Sequence, residues 1–284
     1  MSKVVLVTGA STGLGLGVSI GAARNGHKVY ATMRDLSKRA ALDAAAMTAN
    51  VQINLLTLDV QKINTIESAV AHIIDAEGHI DCVVNNAGMG FVRSTEQATL
   101  GDAERVMDVN FMGVLRLTKV VLPHMRENGS GHFINISSVG GLVGQPFNEI
   151  YCASKFAVEG YTEALASYVQ GPFGIKFTLV EPGGIQSEFA NSAMKQVNET
   201  GGILQDAYLP ILQNYMSGMK ERGMSAFQTV QQVAAEVLNV MENPEPPLRI
   251  RTSPWAEDFA NFKTGLDPDG TKSLDMVVKR FLGN

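Results

Sequence analysis

Seven short runs rich in Val, Ile and Leu recur along the 284 residues, separated by stretches long enough to be helices. The runs are Val4–Val7, Lys28–Met33, Asn54–Leu58, Ile80–Val84, His132–Ile136, Ile175–Val180 and Leu248–Arg251. Most are continuously apolar rather than alternating, the pattern of parallel strands covered on both faces. The helix-length stretches are Leu14–Asn25, Leu36–Ala49, Asn64–Ala76, Leu100–Glu127, Glu149–Val169 and Thr229–Met241. Such alternation predicts βαβ units wound into an α/β, doubly wound parallel sheet of about seven strands with helices on both faces. No repeat, low-complexity tract or linker divides the chain, so a single domain over residues 1–284 is expected. The proline-rich stretch Asn243–Pro247 reads as a turn before the last strand.

One segment interrupts the alternation. Gln186 to Phe227 carries no strand pattern but holds Met194, Leu204, Leu209, Ile211, Leu212, Met216 and Met219, with Tyr208 and Tyr215. Spacings of three and four over Tyr208–Met219 predict an amphipathic helix. The segment follows the carboxyl end of a strand, where open α/β sheets bind ligands. It is therefore either a surface helix packed on the core or an apolar lid over a substrate cleft.

Bulk properties narrow the function classes. A formal net charge of −5 argues against a nucleic-acid surface, which is usually basic. No apolar run approaches the roughly 18 residues needed to span a bilayer. The two cysteines, Cys82 and Cys152, lie apart in apolar contexts and read as small buried residues. Met1-Ser2-Lys3 runs directly into a strand without a signal-peptide pattern. Together these point to a cytoplasmic protein. The five histidines are dispersed, so no metal site is expected.

The first strand is followed by Thr8-Gly9-Ala10-Ser11-Thr12-Gly13-Leu14-Gly15 and then a helical pattern. Glycine suits a sharp turn and a close approach to phosphate, and the helix N-terminus then offers free N–H groups to a pyrophosphate. The spacing is a variant of the Gly-x-Gly-x-x-Gly fingerprint. At the end of the second strand an acid would select a ribose 2′-hydroxyl and an arginine a 2′-phosphate. Met33-Arg34, with Ser11 nearby, favours the phosphorylated nucleotide; Asp35 is the competing residue, able either to occupy the arginine or to face the ribose. Further on, Tyr151 and Lys155 are four apart and share one helix face. An ammonium held there favours the phenolate and would bring the tyrosine toward neutral pKa as a general acid/base.

The glycine turn, Asn85-Asn86-Ala87-Gly88, Asn110, Ser138 and Tyr151-Cys152-Ala153-Ser154-Lys155 together resemble the short-chain dehydrogenase/reductase family, from about Val4 to Ser187. Ser137 through Asn148 and Tyr151 through Gly160 are similar to its 17β-hydroxysteroid and retinol dehydrogenase branch. The resemblance implies a Rossmann-type fold and gives Tyr151 the proton transfer to the substrate oxygen. Lys155 would hold the nicotinamide ribose and keep Tyr151 acidic, and Ser138 would bond the carbonyl or alcohol oxygen. Asn110, unfavourable within a helical run, would hold a water of the proton relay or else satisfy a neighbouring backbone group.

The same likeness places Asp59 and Val60 near the adenine and Asn86, Ala87 and Gly88 along the adenine-ribose side, with Asn86 also bracing the central strands. Pro182, Gly183 and Ile185 would meet the nicotinamide carboxamide. Ser187 stands where many relatives have threonine, and Gly184 adds flexibility. The expected function is an NADP(H)-dependent oxidoreductase interconverting a carbonyl and an alcohol on an apolar, steroid-, retinoid- or acyl-like substrate. An NADP(H)-sensing binding protein without turnover is the alternative. The family also implies a homodimer or homotetramer, paired through the helices near Leu100–Glu127 and Glu149–Val169.

Overall fold

A computed structural model describes residues 2–199, 201–221 and 227–282. Seven parallel strands form one sheet: β1 (Val4–Val7), β2 (Lys28–Met33), β3 (Asn54–Thr57), β4 (Cys82–Asn85), β5 (Gly131–Ile136), β6 (Ile175–Glu181) and β9 (Arg249–Arg251). Their order is β3-β2-β1-β4-β5-β6-β9, so the winding reverses between β1 and β4. This is the Rossmann-type doubly wound fold, and the reversal opens a crevice at the carboxyl ends of those two strands. Register is set by fully buried runs: Val5 lies opposite Val29 and Cys82, and Val7 opposite Ala31 and Val84.

Helices α1 (Gly13–Arg24), α2 (Ala40–Ala49) and α9 (Val230–Glu242) are associated with one face of the sheet. Helices α3 (Ile63–Glu77), α4 (Leu100–Met107), α5 (Gly113–Asn128) and α6 (Glu149–Phe173) belong to the other. Two apolar cores result. Val5, Val7, Val29, Val84 and Ile134 meet Val18, Val233 and Val237 on the first face. Leu6, Val83, Phe133 and Phe177 meet Ile66, Val70, Leu117 and Leu165 on the second. The rings of Phe133 and Phe177 stack across neighbouring strands, 5.5 Å between centroids. Both cysteines are buried and free, and among the described residues no helix is long and apolar enough to cross a membrane.

Four departures from the sequence expectation bear on the site. The run Leu100–Glu127 is not one helix: a π-turn over Asp108–Met112 separates α4 from α5. The predicted helix from Leu36 begins as a 3-10 turn over Leu36–Lys38, capped by Asp35, before α2. The segment from Gln186 to Phe227 is bracketed by two short strands, β7 (Gly184–Gln186) and β8 (Phe227–Thr229), which pair in parallel. Between them lie α7 (Glu188–Glu199) and α8 (Leu209–Glu221). Residues 200 and 222–226 and the side chains of Met194 and Met219 lie outside the described part. After β9 come helices α10 (Pro254–Thr264) and α11 (Thr271–Val277), the latter running into a π-turn over Val278–Leu282; neither helix has an apolar period strong enough to have been read from sequence.

Candidate active site

The crevice at the β1/β4 reversal widens into a cleft of about 1200 Å³. Of the residues predicted from sequence, Gly15 and Asn110 are not on its wall, and all the others are. The chain between β1 and α1 forms one end. Gly9 has φ +67°, and a Cβ there would lie 2.9 Å from the Ala87 Cα, so the turn closes against the β4 loop only because position 9 lacks a side chain. Asn86 fixes that contact by donating from Nδ2 to the Thr8 and Gly9 carbonyls at 2.9 and 3.1 Å. No side chain caps the first turn of α1, leaving its amide end open to an anion.

Next to it, Arg34, Asp35 and Lys38 line the cleft with Ser11. The Asp35 carboxylate accepts from both Ser37 N and Ser37 Oγ, at 3.0 and 2.7 Å, and those bonds hold it below its ordinary pKa. It forms no ion pair with Arg34, though the guanidinium is close enough to stabilise its charge. Arg34 is exposed and makes no hydrogen bond or ion pair among the described residues. Lys38, missed in the sequence, ends the 3-10 turn that follows Arg34 and Asp35. Along the same wall, the Asp59 carboxylate accepts from Gln61 N at 3.1 Å, and Val60 abuts Gly113. An open amide end and a close-approach glycine turn fit the pyrophosphate of a dinucleotide.

At the other end, Ser138 begins the 3-10 turn after β5, its Oγ accepting from Gly140 N at 3.0 Å. A Cβ built on Gly140 would lie 3.3 Å from both Ser138 Oγ and Tyr151 Cε1, so the two side chains flank the same glycine. Lys155 donates to the Ile136 carbonyl at 2.8 Å, and its nitrogen lies 5.9 Å from the centre of the Tyr151 ring. The electrostatics correct the sequence expectation. Burial pushes Tyr151 up to about 12, with the nearby Ser138 hydroxyl opposing, and the ammonium is not among the groups that shift it. Burial also lowers Lys155, to about 8, against the pull of Glu159. Lys155 lies alongside the ring with a proton directed to a carbonyl, so in the chain itself desolvation dominates both groups.

Asn110 sits in the π-turn and is 1% exposed. Its Oδ1 accepts from Met89 N at 2.8 Å; its Nδ2 donates to Met89 O and to Ser154 Oγ, both at 3.0 Å. Ser154 in turn donates to the Tyr151 carbonyl at 2.7 Å. Both Nδ2 protons and one Oδ1 acceptance are thereby used in tying the β4 loop to the turn of α6 that carries Tyr151.

Apolar groups finish the cleft. Phe189 meets the Tyr151 ring edge-on at 5.9 Å, Phe147 lies 6.1 Å from Tyr215, and Trp255 stacks on Phe259 at 5.0 Å. Leu212 and Met216 of α8 also face the cleft, whereas Ile211 is exposed. Ser187 lies beside the glycine turn, its Cβ 3.7 Å from where a Cβ of Gly13 would stand. Gly184 does not add flexibility as expected: it is in β7, and a Cβ there would lie 2.4 Å from the Phe227 ring. Arg93, which carried no signal in its loop, donates to the carbonyls of Gly202 and Val197 and so clasps the end of α7.

Residues 3–198 match the family model for short chain dehydrogenase. The chain is 37% identical over 282 residues to human "Retinol dehydrogenase 8", covering 95% of this chain and 87% of that protein. It is 34% identical over 287 residues to human "17-beta-hydroxysteroid dehydrogenase type 1", covering 99% and 86%. A short-chain dehydrogenase from Streptomyces avermitilis superposes with a TM-score of 0.76 at 30% identity over 99% of this chain and 98% of that one. The chain belongs to the short-chain dehydrogenase family, oxidoreductases that bind a nicotinamide cofactor and act on alcohol or carbonyl groups.

Proposed function

We propose that this protein is an NADP(H)-dependent oxidoreductase interconverting a carbonyl and an alcohol on an apolar substrate. The observation that carries the reading is the placement in one cleft of Ser138 beside Tyr151 and Lys155, and of Arg34 with Ser11 and Lys38. When bound, the nicotinamide supplies or accepts the hydride. The chain's own groups do the rest. The open end of α1 and the turn Gly9–Gly15 receive the pyrophosphate, and Ser11, Arg34 and Lys38 hold the 2′-phosphate. Asp59, Val60 and Asn86 to Gly88 border the adenosine; Pro182, Gly183, Ile185 and Ser187 border the nicotinamide.

Ser138 donates to the substrate oxygen and steadies the charge that develops on it. Tyr151, protonated at neutral pH, gives its proton to that oxygen in the reductive direction, which is the direction proposed for the cell. Lys155 holds the ribose and lends its positive charge as the phenol loses its proton. Asn110 acts as a positioning residue through Met89 and Ser154. The names of the relatives suggest a steroid-, retinoid- or acyl-like substrate, and the aromatic wall supports that class. We place the substrate lid at residues 186–227 of a single domain, in a cytoplasmic homodimer or homotetramer that uses the exposed Phe156 and Tyr168 of α6.

The test is consumption of NADPH with a panel of apolar ketones and aldehydes. Tyr151→Phe is expected to abolish turnover while NADPH still binds. Near-normal activity of that variant, or no turnover with any carbonyl by the unmodified protein, overturns the reading.

A further inference from the structure

One helical turn beyond Lys155, α6 carries Glu159, 5% exposed and without a part in the chemistry above. It packs against the turn that follows β5. A Cβ built on Gly141 would lie 2.8 Å from Ser137 Oγ and 3.1 Å from Glu159 Oε1, so both groups crowd the same glycine. A second acid, Glu181, ends β6 with no exposure at all and is within reach of Glu159. Glu181 Oε2 accepts from Arg251 Nη1 at 3.0 Å. Glu181 Oε1, both Glu159 oxygens and the Ser137 hydroxyl lack any well-directed hydrogen bond among the described residues.

Two adjacent buried carboxyls cannot both ionise cheaply, because each loses hydration and repels the other. The cations nearby are already shared. Arg251 is also held by Glu257, at 2.6 Å, and by the Pro268 carbonyl. Arg249 pairs with Glu163 and draws Asp267. Lys155 directs a proton to Ile136, the residue before Ser137. Burial and Glu181 push Glu159 well above the carboxylate range, and burial raises Glu181 to about 7 against the two arginines. Glu159 in turn pulls Lys155 upward.

We propose that Glu159 and Glu181 share one proton at neutral pH, and that Glu159 is a positioning residue that sets the charge of Lys155 from behind the cleft. As pH rises, the shared proton leaves and a carboxylate forms beside Lys155 just as its ammonium would begin to titrate. The cation is therefore retained to higher pH than burial alone allows. This second half rests on Lys155 belonging to the catalytic pair; the shared proton does not.

Two measurements separate these parts. The first is carbon-13 NMR of the unmodified protein, labelled at its glutamate carboxyls and titrated from acid to alkaline pH. It is expected to show one carboxyl still protonated at pH 7, with the assignment lost in Glu159→Gln and altered in Glu181→Gln. All carboxyls ionised at pH 7, or a protonated one untouched by both substitutions, overturns the shared proton. The second is the pH profile of kcat/KM. Glu159→Gln keeps the shape of the neutral acid but can never charge, so the alkaline limb should move down by about one pH unit. Reduced activity with an unmoved limb overturns the link to Lys155. Absence of turnover in the unmodified protein would refute the proposed function and leave the NMR result standing.

Discussion

The Lys155 nitrogen lies 5.9 Å from the centre of the Tyr151 ring while donating at 2.8 Å to the carbonyl of Ile136. The lysine is thus strapped to the end of β5 and sits alongside the phenol. This geometry makes Lys155, not Tyr151, the group that titrates first. Lys155 has its folded pKa depressed to about 8, so the ammonium is present below that pH and lost above it. Tyr151 stays protonated up to about 12. The rate constant kcat/KM, which reports the free enzyme, should therefore fall as pH rises through about 8 when NADPH is the varied substrate. A plateau reaching pH 10 would show that the ammonium is not needed.

Ser138 stands beside Tyr151 in the cleft, its Oγ accepting from Gly140 N and its hydroxyl proton available to a substrate oxygen. Replacing it by alanine should lower kcat about 100- to 1000-fold, the usual cost of losing one oxyanion donor. NADPH affinity should be unchanged, as measured by fluorescence titration. A loss below tenfold would leave the oxygen to some other donor.

Arg34 and Lys38 line the cleft on either side of Asp35, whose carboxylate accepts from Ser37, so two cations face a phosphate against one anion. Arg34→Ala should weaken NADPH binding about 10- to 100-fold, the worth of a charge-assisted hydrogen bond, and leave NADH nearly unaffected. Lys38→Ala should act in the same direction, more weakly. Equal affinity of the unmodified protein for the two nucleotides would refute the assignment.

Arg93 reaches two carbonyls at the end of α7, and Gln97 adds a bond to Asp206 at 2.8 Å. Arg93→Ala should raise KM for the carbonyl several-fold and speed proteolysis near residues 197–208, because two charge-assisted bonds are lost. NADPH binding should not change. If neither KM nor cleavage moves, the clasp has no part in holding the cleft closed.

His132 is buried on β5 against Thr178 and held neutral, its pKa lowered to about 3 by burial. Between the unfolded value near 6.5 and that folded value the unfolded chain binds the extra proton, so stability falls as pH drops. The loss should be about 2 kcal/mol from pH 6.5 to 5, read from urea midpoints. His132→Gln, which has no proton to gain, should be less pH-sensitive over that interval.

Most of the sheet was legible because continuous apolar runs suit strands buried on both faces, and all seven expected runs became strands of the parallel sheet. The cleft-lining residues Ser138, Tyr151 and Lys155 were legible for a related reason. Their spacing puts Tyr151 and Lys155 on one helix face, and strand β5 ends just before Ser138. By contrast, the π-turn around Asn110 leaves no mark in composition, since it depends on a bond to Met89 twenty-one residues away. The pairing of β7 with β8 joins strands of three residues whose partners lie more than forty positions apart.

Local sequence thus determined which segments became strands and helices and which residue types stood at strand ends, since periodicity and turn chemistry act over a few neighbouring residues. Tertiary structure alone decided the charge states. Burial outweighs the cation beside Tyr151, Asp35 caps the turn at Ser37 beside Arg34, and Glu159 comes within electrostatic reach of Glu181 only because α6 packs on β6. Desolvation depends on everything packed around a group, and no spacing along the chain records it.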